Sequence, residues 1–381
     1  MTQSPGECWW MARRDALVAA LGRRDCAYAY DLAVVARQAG LLLGLRSIAR
    51  TFYAVKANPN PAILRTVAAA GLGFECVSLG ELERLFGTLP QIARDRILFT
   101  PNFAPRSEYE AALALGVRVT VDNLHVLRHW GAMFNGCEIF VRLDTGLAHG
   151  HHEKVRTAGE HSKFGVPEAE LSELRAAADA CGARVTGLHA HGGSGSFEPG
   201  HWAGAARALA AAAPLFPAAR VLNLGGGLGV PESLSRPPLD LSALDAGLAA
   251  FHVARPGFEL WLEPGRFLVA EAGVLLARVT QLKGKGERRY VGVATGMNSL
   301  LRPALYGSRH EIVNLSRPDA QPAIRCTVVG PICESGDVLG EDRLLPACEE
   351  GDVLLFATAG AYGHAMSSHY NLRPPAEELV L

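Results

Sequence analysis

The chain has 381 residues, of which 49% are hydrophobic and 20% are charged, and this balance is typical of a soluble globular protein rather than a disordered or fibrous one. Its net charge of −1 indicates no basic surface for nucleic acid or for an anionic membrane, and no apolar run in the sequence is long enough to predict a membrane span. A chain of this length can form one large α/β barrel with a smaller domain, or two ordinary domains.

The first 30 residues precede the regular alternation that fills most of the chain. Residues 1–10 contain Glu7 and lack both a basic start and an apolar stretch, so they do not predict a signal peptide, and we expect a cytoplasmic protein. The run CAYAYDL, residues 26–32, predicts a strand that can contribute to the barrel indicated by the following segments.

The next segment, FYAVKANPN, places Lys56 directly after an apolar run. The β-branched and aromatic residues before the lysine predict a buried strand, and the Asn-Pro pair after it predicts a turn. A lysine at a buried strand end costs free energy unless its pKa falls or it forms a bond, and, unlike arginine, it can become a neutral amine nucleophile. From these residues alone, an amine that simply reaches solvent remains the alternative.

From about residue 50 to residue 270, strand-like and helix-like segments alternate regularly. The strand-like runs are FYAV (52–55), GFECVS (73–78), RILFT (96–100), RVTVD (118–122), EIFVRL (138–143), RVTGLHAH (184–191), RVLNLGG (220–226) and ELWLEPG (259–265). This alternation fits a (β/α)8 barrel, with a doubly wound open sheet as the alternative. Polar and glycine-rich residues follow nearly every strand, which favours the barrel because barrel active sites lie at that rim. We therefore predict an α/β fold with a (β/α)8 barrel over residues 30–270.

After Ala270 the pattern changes to strands without long helices between them. GVLLARVTQLKGKGERRYVGVAT predicts two strands around a Gly-Lys-Gly turn, and HEIVNLS, AIRCTVVG and DVLLFATAG each predict a further strand. Residues 271–381 are therefore expected to form, together with residues 1–29, a second and smaller all-β domain of the β-sandwich or β-barrel type.

The eight cysteines are widely spaced, and no Cys-x-x-Cys pair occurs. This argues against a disulfide framework and against a zinc site, so we predict no bound metal. Most of the cysteines are expected to be small buried apolar side chains. Cys333 is the exception, because it begins the motif CESGD.

Three motifs follow predicted barrel strands: HAHGGSGS (189–196), GGG (225–227) and EPGR (263–266). Glycines beside a hydroxyl let backbone N–H groups approach a phosphate, and the loops after the last two strands of a barrel often bind one. Alone, each motif has an ordinary explanation as a tight turn, a hydrogen-bonding histidine or a local ion pair. Gathered on one rim with Lys56, they provide the amine, anion site, stacking ring and carboxylate that pyridoxal 5′-phosphate requires.

These motifs, together with CESGD (333–337) and RPALY (302–306), resemble those of the fold-type III pyridoxal-phosphate decarboxylases. The resemblance implies that Lys56 binds the cofactor covalently, that His191 stacks on its ring and that Glu263 holds the proton of its ring nitrogen. The remaining cofactor contacts that it implies are Ser194, Gly225, Gly226, Gly227, Arg266 and Tyr362.

Within this family the motifs are most similar to those of decarboxylases that convert meso-diaminopimelate to L-lysine. The similarity implies that Cys333 donates a proton to the decarboxylated carbon and that Glu334 binds the distal amine, both from the partner subunit of a homodimer with shared active sites. The implied substrate-binding set is Arg266, Arg302, Tyr306, Glu334 and Tyr362. The far end of diaminopimelate is a zwitterion and requires a guanidinium as well as a carboxylate, whereas the distal ammonium of ornithine requires only an acid.

The sequence leaves other functions open. One is a decarboxylase for another basic amino acid, of the ornithine, arginine or carboxynorspermidine type. A racemase would use the same barrel and lysine but has no use for CESGD, and a non-catalytic cofactor-binding regulator would be expected to lose Lys56 or Cys333. The segments LFTPNFAPRSEY and GSRHEI depart from the usual family pattern. These details are similar to the decarboxylase half of bacterial chains that fuse aspartate kinase to such a decarboxylase.

Overall fold

The computed structural model describes residues 8–146, 159 and 162–381. The chain divides into two compact units. The barrel unit consists of the described part of Ala36–Val230 with Pro238–Leu268, and the β unit consists of the described part of Met1–Val35 with Pro231–Pro237 and Val269–Leu381. In the described part of the chain, no helix is both long enough and apolar enough to cross a bilayer.

The strands of the described residues are β1 (Cys26–Tyr30), β2 (Arg50–Ala54), β3 (Gly73–Cys76), β4 (Ile97–Phe99), β5 (Arg118–Val121), β6 (Glu138–Arg142), β7 (Arg184–His189), β8 (Val221–Asn223), β9 (Glu259–Leu262), β10 (Gly273–Lys285), β11 (Arg288–Val293), β12 (Ile312–Asn314), β13 (Ile324–Val329), β14 (Val338–Leu345), β15 (Val353–Phe356) and β16 (Glu377–Val380). The helices are α1 (Trp9–Ala12), α2 (Arg14–Leu21), α3 (Leu32–Leu43), α4 (Pro61–Ala69), α5 (Leu79–Thr88), α6 (Arg106–Ala114), α7 (Leu124–Trp130), α8 (Leu171–Ala180), α9 (Gly200–Ala212), α10 (Leu241–Ala254), α11 (Arg266–Val269) and α12 (Arg302–Tyr306).

In the barrel unit, β2 to β9 form a closed parallel barrel in which β9 pairs with β2. Side chains from β2, β4, β6 and β9 fill its interior, where Phe52, Leu98, Phe140 and Trp261 pack in one buried cluster. The predicted (β/α)8 barrel is therefore confirmed, and the open-sheet alternative is excluded. All eight strands end before the last residue of the predicted run, because the residues that close each run leave the ladder and turn into the rim loops.

The β unit is built on the long strand β10, which pairs with β1, β11 and β15. Its strand order is β12-β15-β10-β11-β13-β14, and β1 also pairs with β16. The predicted fold class, a barrel with a second and smaller all-β domain, is thus confirmed. The prediction that CAYAYDL contributes a strand to the barrel is wrong: that run forms β1 and pairs within the β unit. Its apolar residues indicate a buried strand but do not specify which sheet buries it.

Candidate active site

Lys56 lies in a single 3-10 turn, Val55–Ala57, that directly follows β2. Helix α4 begins shortly after this turn and holds its C-terminal end in place. Asn60 caps the helix by accepting a hydrogen bond from the Ala62 N–H, and Pro61 occupies the first helical position. The lysine Nζ lies 2.5 Å from Oε2 of Glu75, a carboxylate on β3 that is only 1% exposed. The local sequence therefore holds the amine at the rim of the barrel, against a buried acid.

The Glu75 carboxyl binds its proton more tightly than an ordinary glutamate. Burial raises its pKa, and the nearby charge of Glu263 adds to this effect, although the charge of Lys56 opposes it. A carboxyl with a raised pKa at hydrogen-bond distance from an amine can take up or return the proton of that amine. Lys56 therefore has a proton partner within its own unit.

Glu263 follows β9 directly and is 6% exposed. Its Oε2 lies 3.0 Å from Nε2 of His189, the last residue of β7. Its Oε1 accepts a 2.7 Å hydrogen bond from Nδ2 of Asn223, the last residue of β8. Burial acts to raise the pKa of Glu263, but His189, together with Lys56 and Asn223, lowers the pKa to about 2. The ends of three neighbouring strands thus hold an ionised carboxylate in a buried position.

His191 lies two residues beyond His189, in the loop after β7. Burial first, and then the positive charges of Arg142 and Lys56, hold the pKa of His191 well below its usual value. The imidazole is therefore neutral at pH 7, and it presents a flat uncharged ring at the rim.

The glycine loop after β8 packs directly against the loops after β7 and β9. A Cβ at Gly226 would collide with the Glu263 carbonyl oxygen, and one at Gly227, where φ is +87°, would collide with the Gly193 carbonyl oxygen. The backbone N–H groups of Gly195 and Ser196 both donate to the Gly227 carbonyl, at 3.0 and 2.9 Å. Only glycines allow three loops to approach this closely.

Arg266 joins the same region, because its Nη2 donates a 3.2 Å hydrogen bond to the Ser194 hydroxyl. A guanidinium, a hydroxyl and a glycine-rich backbone together form a cradle suited to an anion such as a phosphate. The structure therefore brings together the rim residues predicted from the sequence, which are Lys56, His191, Ser194, Gly225, Gly226, Gly227, Glu263 and Arg266.

Three polar groups of the rim were missed from the sequence: Glu75, Arg142 and Asn223. His189 was placed at the rim as part of HAHGGSGS, but no role was predicted for it. Arg142 ends β6 and is buried, and within the described residues its Nη2 has no hydrogen-bond partner. A buried donor of this kind fits an anionic group bound at the rim. The sequence feature that could have indicated these residues is a polar side chain inside or at the end of an apolar strand run, as in GFECVS, EIFVRL and RVLNLGG.

The remaining predicted residues belong to the β unit. Arg302 is the first residue of α12 and is 2% exposed. Its Nη2 donates to Oε1 of Glu232 at 2.9 Å and to the Ser308 hydroxyl at 3.0 Å, and its Nη1 lies 3.3 Å from Nε2 of His310. Tyr306 is the last residue of the same helix. The guanidinium that was predicted to bind substrate is therefore already paired with a carboxylate of its own chain.

Cys333 and Glu334 stand exposed on the loop that carries CESGD. The loop is held by buried Asp337, whose carboxylate accepts hydrogen bonds from the N–H groups of Met297 at 2.6 Å and Ile332 at 2.7 Å. Tyr362, in GAYG, adopts a left-handed backbone with φ of +56°, which is unfavourable for an aromatic residue and is typical of functional positions. The structure thus presents the thiol and the acid outward on a fixed loop.

The rim residues fit pyridoxal 5′-phosphate, which needs an amine to bind covalently, an anion site and a carboxylate for its ring nitrogen. Lys56 is an amine at this rim, Ser194 and Arg266 with the glycine loop form a site suited to an anion, and Glu263 is an ionised carboxylate. The neutral ring of His191 completes a set that matches the chemistry of this cofactor.

The barrel and its rim define a cofactor-dependent lyase, and the chain belongs to the pyridoxal-dependent decarboxylases. The model of that family described as "Pyridoxal-dependent decarboxylase, pyridoxal binding domain" matches residues 34–270. Its cofactor is pyridoxal 5′-phosphate.

The most similar relatives narrow the comparison to diaminopimelate decarboxylases. The diaminopimelate decarboxylase of Methanothermobacter thermautotrophicus is 40% identical over 346 residues, which cover 87% of this chain and 80% of the relative. That of Escherichia coli strain K12 is 34% identical over 374 residues, covering 93% of this chain and 88% of the relative. The crystal structure of diaminopimelate decarboxylase from Helicobacter pylori complexed with L-lysine superposes with a TM-score of 0.86 at 30% identity, covering 96% of this chain and 93% of that chain.

Proposed function

We propose that this enzyme decarboxylates meso-diaminopimelate to L-lysine and CO2. The observation that carries the proposal is the buried, ionised Glu263 on the same barrel rim as Lys56. The similarity to diaminopimelate decarboxylases over most of the chain supports this choice of substrate. Covalent attachment of the cofactor is assigned to the barrel region of residues 30–270, and Tyr362 of the β unit is assigned an additional contact.

Pyridoxal 5′-phosphate, when bound, supplies a conjugated ring that accepts the electron pair released as the α-carboxylate leaves as CO2. Lys56 holds the cofactor through its amine, and Glu75 exchanges the proton of that amine. Glu263, as an anion, holds the proton of the ring nitrogen. Ser194, Arg266 and the N–H groups of the glycine loop bind the phosphate, and Tyr362 adds a contact to it.

The residues that bind the substrate are assigned by matching their charges to those of diaminopimelate. Arg302, with Arg266 and Tyr306, binds the distal carboxylate, and Glu334 binds the distal ammonium, so that each end of the distal zwitterion meets the opposite charge. Cys333 donates its thiol proton to the carbon that has lost CO2 and is reprotonated from solvent.

We assign Cys333 and Glu334 to the active site of a partner subunit in a homodimer. The exposed position of both side chains on the loop that Asp337 anchors supports this assignment, because they extend outward from the chain that carries them. Cys333 and Glu334 would then complete the partner's site.

The test is a CO2-release assay with meso-diaminopimelate, ornithine, arginine and lysine compared on one enzyme preparation loaded with cofactor. We expect meso-diaminopimelate to give the highest kcat/KM, since the other three substrates lack the distal carboxylate that Arg266 and Arg302 are assigned to bind. Faster turnover of ornithine or arginine would overturn the assigned substrate. Interconversion of amino-acid enantiomers without CO2 release would indicate a racemase, and cofactor binding without either reaction would indicate a regulator.

A further inference from the structure

We propose that His189 is a positioning residue that acts through Glu263 to keep the ring nitrogen of the bound cofactor protonated. The inference rests on the proposed role of Glu263 and adds the residue that enables it. His189 itself has no assigned role in the proposed reaction.

The geometry places His189 on one oxygen of the Glu263 carboxylate and Asn223 on the other. The His189 Nε2 lies 3.0 Å from Oε2, and the Asn223 Nδ2 lies 2.7 Å from Oε1. All three side chains are buried, and His189 is 1% exposed. Because each carboxylate oxygen can accept two hydrogen bonds, both oxygens keep capacity for a further donor such as a ring N–H.

The orientation of Asn223 is fixed by its own neighbour. Its Oδ1 accepts a 3.0 Å hydrogen bond from the Gly225 N–H, so its Nδ2 must face Glu263 as a donor. The glycine loop therefore sets the amide, and the amide holds one carboxylate oxygen. His189 is left as the group that holds the second oxygen.

The tautomer of His189 follows from its surroundings. Its Nε2 faces a carboxylate that is ionised at neutral pH and so carries a proton. Its Nδ1 is buried, and the described residues offer it no hydrogen-bond partner, so a proton there would be an unsatisfied buried donor. His189 therefore donates from Nε2 to Glu263.

Removal of this donor changes which group holds the proton. A buried carboxylate that loses a hydrogen bond is destabilised in its charged form, because burial alone favours the protonated acid. If Glu263 is protonated, it no longer provides the negative charge that stabilises a protonated ring nitrogen. His189 therefore determines how well the cofactor can accept electrons, although it is not itself assigned a contact with the reacting atoms.

The experiment measures the protonation of the cofactor directly, by the 15N chemical shift of pyridoxal 5′-phosphate labelled at the ring nitrogen and bound to the full-length enzyme. The variants are His189→Leu, which removes the donor, and His189→Gln, whose amide nitrogen can reach a similar position to Nε2. The matched control is His252→Leu, which removes a histidine whose Nε2 makes a contact of the same 3.0 Å length, to the Ser47 carbonyl.

We expect the ring nitrogen to be protonated in the parent, in His189→Gln and in His252→Leu, and to lose its proton in His189→Leu. We also expect His189→Leu to bind the cofactor about ten- to a hundredfold more weakly, the loss associated with one hydrogen bond to a charged group. An unchanged 15N shift in folded, loaded His189→Leu would overturn the proposal. If His189→Leu does not fold, His189→Asn replaces it, because the shorter amide of asparagine cannot reach Glu263. Identical 15N shifts for the Asn and Gln variants would then also overturn the proposal.

If the proposed role of Glu263 is wrong, the experiment gives a result different from the one expected when only the role of His189 is wrong. In that case the ring nitrogen would already be neutral in the parent, or Glu263→Gln would leave its shift unchanged. A protonated nitrogen that depends on Glu263 but not on His189 would leave the proposed function intact and remove only the role of His189.

Discussion

Arg302 and Glu232 form an ion pair in which Nη2 and Oε1 are 2.9 Å apart, within the β unit. Burial acts to raise the pKa of Glu232, but Arg302, the Arg309 N–H and His310 outweigh it, so the pKa is lowered. Glu232 is therefore ionised at neutral pH, and it provides the counter-charge that a buried guanidinium requires. Arg302, which we assign to substrate binding, thus already has a counter-charge within its own chain.

Replacement of Glu232 by Gln is expected to lower the free energy of unfolding by about 1.5–3 kcal/mol, because Arg302 loses its charge partner while it stays buried. The matched control is Glu349→Gln, which removes the exposed partner of Arg317 and should cost clearly less, because solvent screens this pair. Urea unfolding of both variants measures the difference. Equal losses would show that the Glu232 pair contributes no more than a surface pair.

Replacement of Arg302 by Lys is expected to reduce discrimination in favour of meso-diaminopimelate. A lysine provides a point charge but not the planar, two-pronged donor that matches a carboxylate. We expect kcat/KM for meso-diaminopimelate, divided by that for lysine, to fall about ten- to a hundredfold. The ratio cancels any loss of folded enzyme, so an unchanged ratio would exclude Arg302 from binding the distal carboxylate.

Replacement of Lys56 by Ala is expected to abolish the covalent bond between protein and cofactor. Borohydride reduction followed by peptide mass spectrometry should find the cofactor on Lys56 in the parent and on no lysine in the variant. Lys283→Ala, which changes an exposed lysine of β10, is the control and should retain the adduct. A reduced adduct at another lysine of Lys56→Ala would refute the assignment.

The proposed shared active sites predict complementation between inactive subunits. When Lys56→Ala and Cys333→Ala are mixed and exchange at random, half of the dimers are mixed, and each mixed dimer has one site with both residues intact. Activity should then recover to about a quarter of the parent value, which is a consequence of two-fold symmetry. Absence of recovery, with exchange demonstrated by native mass spectrometry, would place both residues in the site of one chain.

The sequence predicted the barrel and the rim motifs because both depend on local order. Each strand is an apolar run, and Lys56 and Glu263 follow such runs directly, so the closure of the barrel brings them to one rim. Glu75 was missed because it lies inside a strand run, where a single acid gives no indication of the face it occupies. Glu232 was missed because it lies in the loop segment PESLSRPP, and its partner is 70 residues away. Contacts of that range depend on packing rather than on periodicity.

Glu81 provides the sharpest prediction for the dependence of stability on pH. It lies in the first turn of α5 and accepts a 2.8 Å hydrogen bond from the Val77 N–H. Burial, and then the charge of Glu75, raise its pKa to about 7. Because the folded state binds this proton more tightly than the unfolded chain does, the stability that Glu81 contributes is present below about pH 4.5 and is lost as the pH rises to about 7.

Glu81→Gln removes that titration. The free energy of unfolding of the variant, relative to the parent, is therefore expected to rise by about 1–3 kcal/mol between pH 5 and pH 8. Glu83→Gln changes an exposed residue of the same helix and should show no such trend. Urea unfolding at several pH values gives the comparison, and the other titrating groups cancel in the difference between variant and parent. A difference that stays constant or falls with pH would show that Glu81 is ionised in the folded protein throughout this range.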